Sequence, residues 1–352
     1  MKIIYSFNKT GFEAIYWQRE IAAASNELCE FIPFNHNDFL NPQAYSRAQL
    51  LDNIFYDKHP GLIRMYADLS RLISITGADA LVVDNCFPYH PEFLKNLNIY
   101  KVLRTTDGPM TAYDRDFAYL HAYDHVLYHS PAYSRDMTMP EKLRYCGAKR
   151  LDFLPLGSFA ALRDSSLNED MIFSHQRDID ILFIGAFHLN KMPMLAKIKK
   201  YFGRRFRAYG LINIKKNLYF NLKYGFPGWI KPVPFEMYVP LYKRAKIGIN
   251  IHNRGDYTVG SYRLFDLPAN GVMQISDGGV HLDAFFKKGH EVEAYENSDE
   301  LIRKIDFYLG NEVERKRIAV AGYRRVIANY SINVLLQKAA ALISLGIKDR
   351  DV

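Results

Sequence analysis

The sequence has little cysteine and no long apolar run. Its three cysteines, Cys29, Cys86 and Cys146, are widely spaced, odd in number and form no Cys-x-x-Cys pair. This pattern argues against a disulfide framework and against a zinc site, so we expect small, buried apolar side chains. No apolar run is long enough to cross a bilayer. The amino terminus enters a strand pattern without the layout of a signal peptide, so we expect a cytoplasmic protein.

The composition is that of a folded protein with an excess of positive charge. Hydrophobic residues make up 49% and charged residues 24% of the 352 residues, a length that favours two domains. The net charge of +8 permits an anionic partner, whether nucleotide, acidic glycan, membrane surface or nucleic acid. The densest basic run, KIKKYFGRRFR at 197–207, is followed by Lys215 and Lys216. We interpret it as a solvated helix face in preference to a binding patch.

Short apolar runs alternate with helical patterns along the whole chain. This order predicts an α/β protein built from two doubly wound parallel sheets. We place the domains at residues 1–160 and 179–330, with a polar linker at 161–178 and a final helix at 331–352. A helix is predicted over 44–74, and an aromatic, irregular segment over 216–229. The strands are predicted at 1–7, 30–33, 80–83, 100–103, 125–129, 151–156, 179–184, 206–209, 247–251, 272–277 and 291–295.

The most informative stretch is VGSYRLFDLPANGVMQISD at 259–277. Ser261 can cap a short helix, and Gly271 can end it in a left-handed conformation. The start of such a helix presents unpaired N–H groups, which suit a phosphate, and Arg263 could bind the same anion. Asp266, one turn later, could accept from a ribose hydroxyl. Alternatively, the stretch is a capped helix with one surface Arg and one surface Asp.

Five blocks in the second half resemble, in the same order, the CgeB-like (spore maturation protein) glycosyltransferases, which have the GT-B fold. The blocks are FIGAFHLNKMPML at 183–195, LYKRAKIGINIH at 241–252, the stretch at 259–277, FFKKGHEVEAYENSDELIRKIDFYL at 285–309 and AGYRRVIANYS at 321–331. A weaker resemblance covers TTDGP at 105–109, AYDHVLYHS at 122–130 and LPLGS at 154–158.

The resemblance implies two Rossmann-like domains facing across a cleft, in a transferase related to the retaining nucleotide-sugar enzymes. The nucleotide sugar would bind mainly to the second domain and the acceptor to the first, with no bound metal and no cofactor. The final helix would cross back to the first domain. Two departures stand out: Asp266 replaces the family's usual Glu, and Thr258 occupies the place of an earlier acidic residue.

The candidate site residues follow from these motifs and from the strand ends. For stabilising the charge on a departing diphosphate we choose Arg263 and Lys191. Asp107 is our choice for an acid or base from the first domain, although an Asp before Gly-Pro is also an ordinary turn residue. Lys191 could equally be an ordinary surface lysine, and Trp229 could be an ordinary buried tryptophan. The expected donor-binding residues are Gly185, His188, Trp229, Glu236, Gly260, Ser261, Tyr262 and Asp266, and those on the acceptor side are Gly11 and Asp84.

We therefore predict a glycosyltransferase of the hexosyltransferase type, acting on a nucleotide-diphosphate sugar and on a protein, glycan or lipid-linked acceptor. Two other functions remain open on the residues alone. One is a nucleotide-sugar epimerase on the same two-domain plan. The other is a non-catalytic protein that binds nucleic acid or an anionic membrane through its basic run, although no common nucleic-acid module is recognisable.

Overall fold

The computed structural model describes residues 1–40, 60–85, 88–106, 113–134, 136–159, 162–252, 261–278 and 282–350. The chain divides into two compact units, residues 1–155 with 332–352 and residues 156–331. Each unit contains a parallel sheet with helices between successive strands, which confirms the predicted fold class. None of the helices in the described ranges combines the length and apolarity needed to span a membrane.

The first unit contains a six-stranded sheet in the order β2-β1-β3-β4-β5-β6. Strands β1 and β3 are almost wholly buried, because helices cover both faces of a wound parallel sheet. The strands are Lys2–Phe7, Glu30–Asn35, Ala80–Asp84, Tyr100–Arg104, His125–Tyr128 and Leu151–Phe153 (β1–β6). The helices are Gly11–Ala23, Pro60–Thr76, Pro91–Lys95, Tyr113–Tyr119 and Met139–Tyr145 (α1–α5), and the carboxyl-terminal helix Ile332–Arg350.

The second unit contains a five-stranded sheet in the order β11-β10-β9-β7-β8. Its strands are Ile179–Ile184, Phe206–Tyr209, Ala245–Asn250, Met273–Asp277 and Glu293–Tyr295 (β7–β11). Its helices are Glu169–Ser174, Met192–Phe202, Ile214–Tyr224, Tyr238–Arg244, Arg263–Ala269, Ser298–Gly310 and Glu312–Asn329 (α6–α12), so that Ile332–Arg350 is α13. From β7 the chain places β8 on one side and β9 on the other, so the winding direction reverses at β7.

Three local predictions differ from the structure. The segment at 216–229 is not irregular, because helix α8 covers Ile214–Tyr224 and ends at Gly225 in the left-handed conformation. The segment at 161–178 is not a free linker: it contains α6, and its apolar residues Leu167 and Ile172 are buried in the core of the second unit. The helix predicted over 44–74 is described from Pro60, and its earlier part lies outside the described residues.

Candidate functional site

The candidate site lies at the carboxyl ends of β7, β9 and β10 in the second unit. Wound sheets bind ligands where the winding direction reverses, and here that place lies between β7 and β9. Strand β7 ends at Ile184 and is followed by Gly185, while β9 ends at Asn250 and β10 at Asp277. Arg263 bonds to two of these strand ends, at Ile184 and at Asn250.

Arg263 is fixed at the junction between β7 and β9. Its Nε donates to the Ile184 carbonyl at 2.6 Å, and its Nη1 donates to Oδ1 of Asn250 at 3.2 Å. The guanidinium carbon lies 4.9 Å from the centroid of the Phe183 ring, which is a cation–π distance. Arg263 is thus not a mobile surface arginine: its charge is held at the end of the sheet, and among the described residues its Nη2 makes no hydrogen bond.

Gly185 makes room for this guanidinium. A Cβ built on Gly185 would lie 1.9 Å from Nη2 of Arg263, far inside van der Waals contact. Any larger residue would displace the guanidinium from the strand end. The glycine after β7 is therefore explained by the close approach of the arginine.

Lys191 is the second cation of the site. It ends the short 3₁₀-helix Leu189–Lys191 and is only 3% exposed. Among the described residues its Nζ has neither a hydrogen bond nor an ion pair. Burial, together with the charge of Arg263, lowers the pKa of Lys191 to about 7, while Asp277 opposes that shift. A buried ammonium without a close carboxylate is costly unless an anion joins it.

Asp277 is engaged with His252 at the end of β10. Its Oδ2 accepts from the His252 backbone N–H at 2.7 Å, and its Oδ1 lies 2.6 Å from Nδ1 of the same histidine. Asn250 extends this network, because its Nδ2 lies 3.2 Å from Oγ of Ser276 and its Oδ1 accepts from Arg263. The network orients Arg263. Both oxygens of Asp277 already contact His252, so this carboxylate offsets the charge of Lys191 only in part.

Ser261 does not cap the helix that begins at Arg263, contrary to our expectation. The first residue before that helix is Tyr262, in a helical conformation, and the Ser261 hydroxyl donates instead to Oδ1 of Asn250 at 3.2 Å. The hydroxyl is thus directed toward Asn250 and accepts no hydrogen bond from the first amides of the helix. The predicted helix end is confirmed, since Gly271 has φ +64 and its N–H donates to the Pro268 carbonyl.

Asp266 is buried rather than on the surface. It is 3% exposed, and its Oδ1 accepts from the Ser158 hydroxyl at 2.9 Å. The Tyr262 ring packs near Phe159, with centroids 5.3 Å apart. These contacts tie the segment at 158–159 to helix α10. Gly260 lies outside the described residues.

The remaining donor-side candidates flank the same strand ends. His188 is exposed and directly precedes the 3₁₀-helix of Lys191; partial burial and the charges of Lys191 and Lys216 lower its pKa. Trp229 is 54% exposed, which rules out the buried tryptophan considered above. Glu236 is also exposed. The backbone between these two residues pairs with the end of β8 through the bridge of Lys231 with Tyr209, beside Gly185.

The acceptor-side candidates belong to the first unit. Asp84 ends β3 and is buried; its Oδ1 accepts from the Tyr5 hydroxyl at 2.7 Å, and burial raises its pKa against the opposing charge of Arg104. Gly11 begins helix α1 with φ +55 and has open space around it. Asp107 lies outside the described residues, so its role stays a prediction.

Asn250, His252, Asp277 and Ser158 were not predicted as site residues. Asn250 and Asp277 stand at strand ends, a signal that could have identified them, because β9 and β10 were both predicted. The contact of Ser158 with Asp266 spans more than a hundred positions, and no local pattern announces it. Among the described residues no group of three or more His, Cys, Asp or Glu side chains could hold a metal ion.

Comparison with known proteins gives a family match for the second half of the chain and a fold match for the whole chain. Residues 191–341 match a family model described as glycosyl transferase-like. Comparison with curated protein sequences gave no match. Sucrose-phosphate synthase from Thermosynechococcus elongatus has 12% identity and a TM-score of 0.65, with 98% of each chain covered.

Two further solved structures superpose over nearly the whole chain. Anabaena HepE in complex with UDP-glucose has 10% identity and a TM-score of 0.61, covering 98% of this chain and 99% of its own. A glycosyltransferase from Rickettsia africae has 13% identity and a TM-score of 0.60, covering 99% and 98%. The similarity to these structures establishes the fold, and the family match at 191–341 includes Lys191 and Arg263. The chain is a glycosyltransferase with the GT-B fold.

Proposed function

We propose that the chain transfers a sugar from a nucleoside-diphosphate donor, and that Lys191 and Arg263 bind the diphosphate. The observation that carries the proposal is the buried ammonium of Lys191, which has no close counter-ion among the described residues and lies near a second cation. A diphosphate supplies the missing negative charge. Gly185 admits the Arg263 guanidinium to the end of β7, beside the Ile184 carbonyl, where a bound diphosphate would meet it.

The chemistry of transfer explains why two cations are useful there. The bond between the anomeric carbon and the phosphate oxygen breaks, and its electron pair leaves with the diphosphate. The acceptor hydroxyl bonds to the anomeric carbon and passes its proton to a general base, for which Asp107 is our candidate. Charge that grows on the leaving group is stabilised by fixed cations, an effect worth about 2.7–4 kcal/mol for a single lost donor in other enzymes.

Metal independence and retention of the anomeric configuration belong to the same proposal. Lys191 and Arg263 can supply the positive charge that a divalent cation supplies in other transferases. Activity should therefore persist after treatment with EDTA. Retention is supported by the resemblance of the second half to the retaining nucleotide-sugar enzymes, and product stereochemistry tests it directly.

The nucleoside would lie along the segment from Trp229 to Glu236. Trp229 is exposed and offers a flat surface on which a base can stack, while Glu236 can accept from a hydroxyl. Asp266 would bind the ribose only by sharing its carboxylate with Ser158. HepE has been crystallised with UDP-glucose, so uridine is the first base to test. Asp107, Gly11 and Asp84 remain our candidates on the acceptor side.

A thermal-shift panel of UDP-, GDP-, CMP- and dTDP-sugars tests the proposal. A ligand at a hundred times its dissociation constant should stabilise the fold by about 2.7 kcal/mol. Arg263→Ala should remove most of that response. The control is Arg244→Ala, because Arg244 is half exposed and pairs with Asp178 at the far end of β9. A flat panel, or an unchanged response in Arg263→Ala, would contradict the proposal.

A further inference from the structure

A polar cavity lies in the same unit, at the opposite ends of the strands from Arg263 and Lys191. Its volume is about 290 Å³. Arg177 stands just before β7, and Lys246 is the second residue of β9, so the cavity opens at the amino ends of strands whose carboxyl ends carry Arg263 and Asn250. The charged and titratable residues that line it are His175, Arg177, Lys246, Glu312, Arg315 and Lys316.

The lining carries more positive than negative charge. Four of its side chains are Arg or Lys and one is a carboxylate, Glu312. Glu312 pairs with Lys316 at 2.5 Å and lies 3.9 Å from Arg315. Lys246 pairs with Asp180, outside the lining, at 2.6 Å. Glu312 and Asp180 thus pair with the two lysines, and Glu312 also makes a long ion pair with Arg315, whereas Arg177 has no carboxylate partner in the part of the chain that the structure describes.

Arg177 is held rigidly beside the cavity by neutral acceptors. Its Nη1 donates to the Tyr242 and Ala245 carbonyls at 2.9 and 2.8 Å, and its Nη2 donates to the Asn270 carbonyl at 2.9 Å. Among the described residues no carboxylate pairs with it. Burial and the like charge of Arg315 lower its pKa to about 10. Two like charges that face one cavity repel each other, and an anion between them would relieve that repulsion.

Arg315 completes the arrangement from helix α12. It is 6% exposed, and its Nη1 donates to the Tyr308 carbonyl at 2.9 Å, which fixes the side chain toward the cavity. Planar guanidinium groups held in this way bind the oxygens of a phosphate through paired hydrogen bonds. The cavity volume is close to the lower end of the range for small-molecule sites, about 300–1,000 Å³. It has room for a phosphate with a small organic group attached.

We propose that this cavity binds a small phosphomonoester metabolite, with its phosphate between Arg177 and Arg315. The site is distinct from the diphosphate site of the proposed function and does not depend on it. His175 and Gln176, both exposed, stand at the rim, where they can contact the organic part of the ligand.

Calorimetric titration of the full chain with glucose 6-phosphate and with inorganic phosphate, at constant ionic strength in chloride, tests this proposal. We expect saturable binding of the ester at one site, weakened at least tenfold by Arg315→Gln. Gln176→Glu should also weaken binding of the ester, because the added carboxylate repels the phosphate. Gln176 is exposed and nearly identical in shape to Glu, so this variant tests the site even if Arg315→Gln does not fold.

Lys191→Met separates the two sites in the same experiment. It should leave binding of the phosphomonoester unchanged, because Lys191 does not line the cavity. Absence of saturable binding to the unaltered chain would overturn the proposal. So would equal binding by all three variants, or a loss confined to Lys191→Met. Binding of inorganic phosphate without the ester would overturn the assignment to a metabolite.

Discussion

Arg104 and Arg263 occupy similar places in the two units but have different surroundings. Each lies at or beside the carboxyl end of a parallel strand. Nη1 of Arg104 donates to the Tyr5 hydroxyl at 2.5 Å, and that hydroxyl donates to Asp84, so a buried carboxylate offsets the charge. Arg263 bonds to neutral oxygens and has a second cation, Lys191, nearby.

The difference separates a polar cluster whose charges are balanced within the protein from a site with charge left for a diphosphate. A buried charge that is balanced within the protein has no need of a ligand, and its hydrogen bonds hold neighbouring strands together. Two buried cations with a partly committed carboxylate are stable as a pair chiefly when an anion is bound. The following predictions test this contrast, in order of the expected effect on nucleotide binding.

The largest effect is expected from Lys191→Met. Loss of a hydrogen bond to a charged group costs about 1.5–3 kcal/mol, which is about 10- to 150-fold in the UDP dissociation constant measured by calorimetry. The unfolding midpoint should stay the same or rise, because the variant removes a buried charge. The matched control is Lys200→Met on helix α7, since Lys200 is exposed. An unchanged UDP affinity in Lys191→Met would place the diphosphate elsewhere.

The second effect is a dependence of UDP affinity on pH above neutrality. The pKa of Lys191 is about 7 in the folded chain, compared with 10.5 for an ordinary lysine. Deprotonation above pH 7 removes the charge that binds the diphosphate, so affinity should fall by up to about tenfold per pH unit. In the Lys191→Met variant this fall of UDP affinity with pH should be absent. Calorimetric titration with UDP between pH 7 and 9 measures the difference.

The same titration has the opposite effect on the stability of the free protein. Between pH 7 and 10.5 the unfolded chain holds a proton on Lys191 that the folded chain has released. Stability from this group therefore rises with pH across that window. Chemical denaturation of the unaltered chain and of Lys191→Met should show the difference. A parallel loss of affinity and stability with rising pH would contradict the assignment of the titration to Lys191.

A smaller effect is expected from Gly185→Ala. The added Cβ would meet Nη2 of Arg263, and the guanidinium must swing away from the Ile184 carbonyl. Because Lys191 remains, we expect UDP still to bind, with a dissociation constant that is several-fold higher. Gly310→Ala is the control, because no atom lies within 4 Å of the added Cβ. Equal affinities in the two variants would show that the position of Arg263 does not matter.

The sequence predicted the sheets better than the site. Continuous apolar runs identified the strands because both faces of a wound sheet are covered, and Gly271 predicted the end of α10. The helix over Ile214–Tyr224 was missed, because its aromatic and basic residues gave no clear apolar face; Leu218 and Leu222 are indeed exposed.

The chemical state of the site residues could not be predicted from local patterns. Arg263 and Lys191 were selected for their charge, but the burial of Lys191 depends on how the loop after β7 folds back. Ser261 bonds to Asn250, which lies on another element, and Ser158 bonds to Asp266 over a separation of 108 positions. Hydrogen bonds of this kind follow from the tertiary fold.

The smallest effect on nucleotide binding is expected from Tyr5→Phe in the first unit. Removal of the hydroxyl leaves buried groups of Arg104 and Asp84 without this link, at a cost of about 1–3 kcal/mol in the free energy of unfolding. The UDP dissociation constant should not change, since the charge of Arg104 is balanced within its cluster and does not bind UDP. Tyr145→Phe on helix α5 is the matched control, because Tyr145 is 83% exposed. A loss of UDP affinity in Tyr5→Phe would contradict the contrast between the two arginines, because it would show that the cluster of Arg104, Tyr5 and Asp84 contributes to UDP binding.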